Sequence, residues 1–143
     1  MALDARIAAV SYLNTIPFIY GIEHADDLRA RLLLAPPSQC AENYRSGRAD
    51  IALLPAAAVP SLRSTEVITS YCIGAVGPVR TVVLVSPTPV SEVRRVFLDA
   101  HSLTSVQLTG YLAAHRWKIA PEWFAMSDYA QLEHAAPGDA FLL

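Results

Sequence analysis

At 143 residues the chain is long enough for one sizeable core, with single domains most often running to roughly 100 to 150 residues. A composition 53% hydrophobic and only 17% charged excludes disorder, because so much apolar side-chain area must pack against something. The net charge is −2, and ten arginines with the single Lys118 are scattered along the chain, so no continuous basic footprint for nucleic acid forms.

The N-terminus, Met1 to Arg6, carries Asp and Arg and is followed by a short apolar run. That is neither a secretory signal nor a bilayer span, so a cytoplasmic location and no membrane partner are expected. Apolar runs then alternate with helix-like segments, the pattern of an α/β sheet with crossover helices. Strands are predicted over Arg6 to Leu13, Arg29 to Leu34, Ile51 to Pro55, Val67 to Ile73, Thr81 to Ser86 and Arg95 to Asp99. The first helix should open at Asn14, a favoured N-cap residue, and stop at Gly21. A second begins at Ser38, after Pro36 and Pro37, and ends at Ser46-Gly47; a short third follows Pro55. A longer one starts within Ser102 to Ser105 and carries Val106, Leu108, Tyr111 and Leu112 on a helical period. Gly74 to Val79 is punctuated by glycine and proline and suits a hinge or a passage between lobes. Asp139 to Leu143 reads as the opening of a buried strand, and an unfinished strand leaves an apolar edge, so a covering partner or a truncated sequence is expected. Cys40 and Cys72 lack the short spacing of a zinc or redox pair and read as buried structural thiols.

Four constellations could carry chemistry. Ser11-Tyr12-Leu13-Asn14 stands where a strand ends and a helix begins, the place at which open α/β sheets bind ligands; Asn14 either aims its amide at a ligand or caps its own helix, and both roles can coexist. Gly77-Pro78-Val79-Arg80-Thr81 brings a hydroxyl to a strand start beside an arginine able to grip a carboxylate, or else a strand-forming Thr81 beside a solvated Arg80. Asp99-Ala100-His101-Ser102-Leu103-Thr104-Ser105 opens a helix with Ser102, Thr104 and Ser105 as hydroxyl donors, either a carboxylate cradle or an ordinary capping cluster. Ala49 to Pro55 reads chiefly as a packed strand. His24, His101, His115 and His134 show no metal-ligand spacing, and no phosphate-binding glycine loop, dinucleotide fingerprint or nucleophile elbow occurs. No metal or cofactor is therefore indicated.

In their order these segments resemble the chorismate dehydratases of the futalosine route to menaquinone. The resemblance is carried by Val10 to Pro17 with Tyr20-Gly21, by Pro37-Ser38, and by Ser46-Gly47 to Pro55. Tyr71 to Gly74, Gly77-Pro78-Val79, Asp99 to Val106, Trp117 to Ile119 and Pro121 to Trp123 extend it over nearly the whole chain. It implies the type II periplasmic-binding-protein-like α/β fold, two α/β lobes with the ligand between them. Residues 1–76 would form the N-terminal part of lobe 1, and residues 77–143 a second lobe that is incomplete in this chain. It implies a hydro-lyase that converts chorismate to 3-[(1-carboxyvinyl)oxy]benzoate and water without a cofactor. Asn14 matches the family's active-site Asn, and Thr81 stands at its active-site Ser, keeping the hydroxyl and adding a methyl group. Ser11, Ser38, Pro55, Arg80, His101, Ser102, Thr104 and Ser105 are the candidate substrate-binding positions. Val76 and Leu103 depart from the Asp and Arg that relatives often carry there. Competing readings are a non-catalytic small-anion binding protein of the same fold, an inactive truncated fragment of the enzyme, and the sibling enzyme that releases dihydroxynaphthoate later in the pathway, whose opening motif differs from Ser-Tyr-Leu-Asn. The oligomeric state has no signature in the sequence.

Overall fold

In the computed structural model, which describes residues 5–26, 31–99 and 102–143, the chain is mixed α/β with two sheets. It divides into two compact units, Met1–Gly74 and Ala75–Leu143.

The first unit is built on strand β1, Ile7–Val10, all four residues of which are buried. β1 pairs in parallel with β2, Leu32–Ala35, on one side and with β3, Ile51–Ala52, on the other, giving the order β2-β1-β3. Ala8 and Ala9 keep the central strand thin, so that α2, Pro37–Arg45, packs closely on one face. The core there is Ala8, Val10, Ala35, Cys40 and Ala49, with Ala52 and Leu53 against it. α2 starts behind Pro36, in the position where proline's missing N–H costs nothing, and closes at Gly47, whose φ of +69° suits glycine. Arg6 fastens the amino-terminal edge: its guanidinium donates to both carboxylate oxygens of Asp50 at 3.1 and 2.9 Å and to the Gly47 carbonyl at 2.7 Å.

The first helix departs from expectation. A 3-10 turn over Leu13–Thr15 comes first, and α1 runs from Ile16 to Glu23 with Thr15, not Asn14, at its N-cap. It passes through Gly21 rather than ending there, since one glycine costs only about 1 kcal/mol in a helix. A further 3-10 helix, Ala56–Ser61, follows Pro55 as expected. Val67 to Ile73 forms no strand. It lacks a neighbouring strand to pair with, and Val67, Ile68 and Tyr71 lie exposed at 69 to 79%. Cys72 in that segment is exposed, whereas Cys40 is buried and its thiol donates to the Ala35 carbonyl at 3.5 Å. Burial pushes the Cys40 thiol pKa up, so it stays protonated and structural.

The second unit has a four-stranded sheet in the order β4-β7-β5-β6. β5 (Arg95–Leu98) runs parallel to β6 (Glu122–Ala125) and β7 (Asp139–Leu142), while β4 (Leu84–Val85) is antiparallel to β7. Phe97 stands between Phe124 and Phe141 in register, with ring centroids 5.4 and 4.8 Å away, an aromatic ladder that fixes the pairing of the three parallel strands. Val93, Val96 and Ala140 form the core, with Leu84, Leu98 and Ile119 against it. β4 is shorter than the strand predicted over Thr81 to Ser86, and β6 was not predicted at all. α3, Leu103–Leu112, follows β5 with Ser102 at its N-cap and ends in a π-helical turn over Ala113–Trp117. Its buried stripe is Ser105, Thr109 and Ala113; Leu108 and Tyr111, expected to face inward, are more than half exposed. Thr109 can be buried because its hydroxyl donates to the Ser105 carbonyl one turn back at 2.8 Å.

Candidate functional site

Three strands of one direction end together in the first unit, and each carboxyl end delivers a residue singled out in the sequence. β1 leads into Ser11, whose N–H donates to the Ala35 carbonyl at 3.1 Å and so extends the β1–β2 ladder by one step. β2 leads through Pro36 into the first turn of α2, where Ser38 is exposed. β3 is prolonged by the Leu53 N–H donating to Ala8 at 2.9 Å, which carries the chain to the half-buried Pro55. The order β2-β1-β3 means that the chain leaves β1 to one side and returns to the other, the topological switch at which open α/β sheets receive ligands.

Asn14 lies on this edge, exposed, on the 3-10 turn after Ser11. No side-chain bond caps either the turn or α1, so the purely capping role that the sequence left open for Asn14 is not the one it has. Its Oδ1 accepts from the hydroxyl of the fully buried Thr15 at 3.4 Å, and its amide N–H groups have no partner among the described residues.

In the second unit the antiparallel strand does the equivalent work. The N–H of Val83 donates to the Leu143 carbonyl and that of Leu143 to Val83, so β4 begins at the edge where β7 and its parallel neighbour β5 end. Thr81 stands two residues before this pair, on the same edge as the start of α3. It lies in a bend ahead of β4 rather than at the strand start, and both Thr81 and Arg80 are exposed with no hydrogen-bond or ion-pair partner among the described residues.

At the start of α3 the Ser102 hydroxyl donates to Ser105 Oγ at 2.6 Å instead of capping a helix N–H. The first-turn N–H groups of the helix are therefore left without a side-chain cap, beside hydroxyls at Ser102, the exposed Thr104 and the buried Ser105. His101 lies outside the described residues.

An apolar hollow of about 280 Å³ opens beside this helix start, lined by Leu98, Leu103, Val106, Trp123, Phe124 and Ala125. Trp123 and Phe124 belong to β6 and are not among the candidate site residues that the sequence singles out. The signal was present: Pro121 followed by Glu122-Trp123-Phe124-Ala125 is a proline-bounded aromatic run of strand length. The leucine at position 103 gives the hollow part of its apolar wall.

The two edges thus offer amide, hydroxyl and helix N–H donors, with Arg80 as the exposed cation among the candidate residues. Such groups can hold a carboxylate and stabilise charge that grows on it. Among the described residues no three His, Cys, Asp or Glu side chains group as metal ligands, and no helix is long and apolar enough to cross a membrane. The family model described as menaquinone biosynthesis matches residues 5–143. No curated protein matches the chain. With the match running over nearly its whole length, the chain belongs to the menaquinone biosynthesis family.

Proposed function

We propose that this protein is a chorismate dehydratase, a hydro-lyase that forms 3-[(1-carboxyvinyl)oxy]benzoate, and that its two units are α/β lobes of the type II periplasmic-binding-protein-like kind. The supporting observation is that each candidate residue within the described part of the chain lies on the carboxyl-end edge of its own sheet, with uncharged donors dominating. Membership of a menaquinone biosynthesis family adds that the substrate is a small biosynthetic intermediate.

The chemistry suits such donors. The C3 proton of chorismate is vinylogous to the ring carboxylate, so its removal spreads negative charge through the diene onto that carboxylate. The C4–O bond then breaks, a C3–C4 double bond forms, and the ring becomes aromatic while hydroxide leaves with a proton as water. Aromatisation drives the reaction; the barrier lies in the dianionic intermediate. The Asn14 amide on the first unit's edge and the Thr81 hydroxyl on the second's are each a donor suited to carboxylate charge that grows in the reaction, a device whose removal typically costs about 10²- to 10³-fold in rate. Thr104, Ser105 and the open first turn of α3 hold a carboxylate of the substrate, with Ser102 orienting the Ser105 hydroxyl through the proton it donates to it and Arg80 contributing a charged grip. Ser11 and Ser38 supply further hydroxyls, and Pro55 shapes the wall. The substrate's own enolpyruvyl carboxylate removes the proton, so no Glu or His base is needed.

The test is incubation of the chain with chorismate, without added metal or cofactor, followed by ultraviolet absorbance and chromatography. Accumulation of one aromatic product as chorismate disappears is expected. Saturable binding of chorismate with no product would instead favour a non-catalytic binding protein.

A further inference from the structure

Thr15 occupies the N-cap of α1, where a threonine oxygen ordinarily accepts from the N–H of the second or third helical residue. It makes no such bond here. The second helical residue is Pro17, which has no N–H to offer. The side chain is fully buried, and a buried hydroxyl needs a partner. It finds one in Asn14 Oδ1, to which it donates at 3.4 Å, and no buried side-chain polar atom among the described residues is left unsatisfied.

We infer that Thr15 is a positioning residue that fixes which end of the Asn14 amide faces the ligand. The inference rests on reading Asn14 as a carboxylate donor. An asparagine amide has an acceptor end and a donor end of nearly equal shape, so packing alone does not choose between them. With Oδ1 turned to the Thr15 hydroxyl, Nδ2 and its two N–H groups are the end left for an incoming carboxylate. The flipped amide would present its oxygen and repel the same group. At 3.4 Å the bond is long and therefore weak. It biases the orientation of the amide more than it holds the fold together, so the expected effect is about tenfold in turnover, well short of losing the donor altogether.

The experiment uses the full chain with Thr15→Val, which keeps the shape and removes the hydroxyl, and Thr15→Ser, which keeps the hydroxyl. Two readouts are taken. The side-chain amide proton pair of Asn14 is followed by nitrogen-edited NMR and assigned by its loss in Asn14→Ala. Chorismate turnover is measured alongside. The expected result is an amide pair that moves to the position of a free amide in Thr15→Val and stays in place in Thr15→Ser. In parallel, kcat falls about tenfold with little change in KM in the first variant and stays within about twofold of the parent in the second. An unmoved amide pair in a folded Thr15→Val protein overturns the inference whatever the activity. So does a Thr15→Ser protein that behaves like Thr15→Val, because the methyl group would then be the cause. If Thr15→Val does not fold, Thr15→Ala is read by the same criteria. A parent chain that does not turn over chorismate, yet shows the expected amide response, overturns the dehydratase reading and supports the positioning one.

Discussion

Val83 and Leu143 exchange two backbone hydrogen bonds, of 3.0 and 2.9 Å, and this antiparallel pair decides where Thr81 lies. Had β4 run parallel to β7, its start would stand at the opposite edge of the sheet from α3. The reversal of one short strand places a hydroxyl and a guanidinium, two and three residues upstream of the pair, at the end of the sheet where Ser102 begins the helix.

Thr81 and Arg80 should separate by kinetics. Thr81→Val removes the hydroxyl and should lower kcat/KM about 10- to 100-fold, while Thr81→Ser stays close to the parent. Arg80→Ala should raise KM roughly tenfold and leave kcat nearly unchanged, because a charged grip holds substrate and transition state alike. Steady-state rates with chorismate over a range of concentrations check both, and an unchanged KM in Arg80→Ala would remove it from the site.

Arg95 and Asp139 tie the starts of β5 and β7 together. Arg95 Nε donates to Asp139 Oδ1 at 2.7 Å, and the Ala136 N–H donates to Oδ2 at 3.0 Å. Asp139 is buried while Arg95 is half exposed, so the pair is screened on one side only. Arg95→Ala should cost about 1 to 3 kcal/mol, because it leaves a buried carboxylate with one partner fewer. Urea titration measures this, and Asp139→Asn should lose a comparable amount, since the amide keeps one acceptor where the carboxylate accepts from both Arg95 and Ala136.

Much of the scaffold was legible in the sequence because the deciding signals are local. Pro36-Pro37 and Ser46-Gly47 bracket α2 through backbone rules that hold wherever the chain folds, and the positive φ of Gly47 is the physical reason its end was readable. Two of the failures involve a neighbour that the sequence does not name. Val67 to Ile73 has the β-branched and aromatic content of a strand, but strand preference is largely packing against an adjacent strand, and none lies beside it. The period over Val106 to Leu112 was real, yet the stripe turned inward is Ser105, Thr109 and Ala113, made tolerable by the back-bond from Thr109. At the site, the position of Asn14 after β1 was readable. Its relation to Thr15 was not, because a cap at Asn14 and a cap at Thr15 differ by one residue and the intervening 3-10 turn has no sequence signature.

Acid should weaken the first unit through Asp50. The Arg6 side-chain hydrogen bond, aided by the Arg6 backbone N–H, holds the Asp50 carboxyl at about 2, below its ordinary 3.8. A folded pKa below the unfolded one means that the unfolded chain takes up the proton first. The contribution is thus present above pH 3.8 and disappears as pH falls through about 2. Both side chains are about half exposed, so the effect is modest and shrinks with added salt. Acid titration of the parent and Asp50→Asn, followed by circular dichroism, should show a flatter response in the variant across that window.

The most direct test of the central claim, that uncharged donors carry the catalysis, is the kcat of Asn14→Ala with chorismate set beside its affinity for the same compound. The account predicts a fall of about 10²- to 10³-fold in kcat with affinity little changed, as expected when a donor acts mainly on charge that appears in the transition state. An Asn14→Ala protein that keeps the parent's kcat would contradict it.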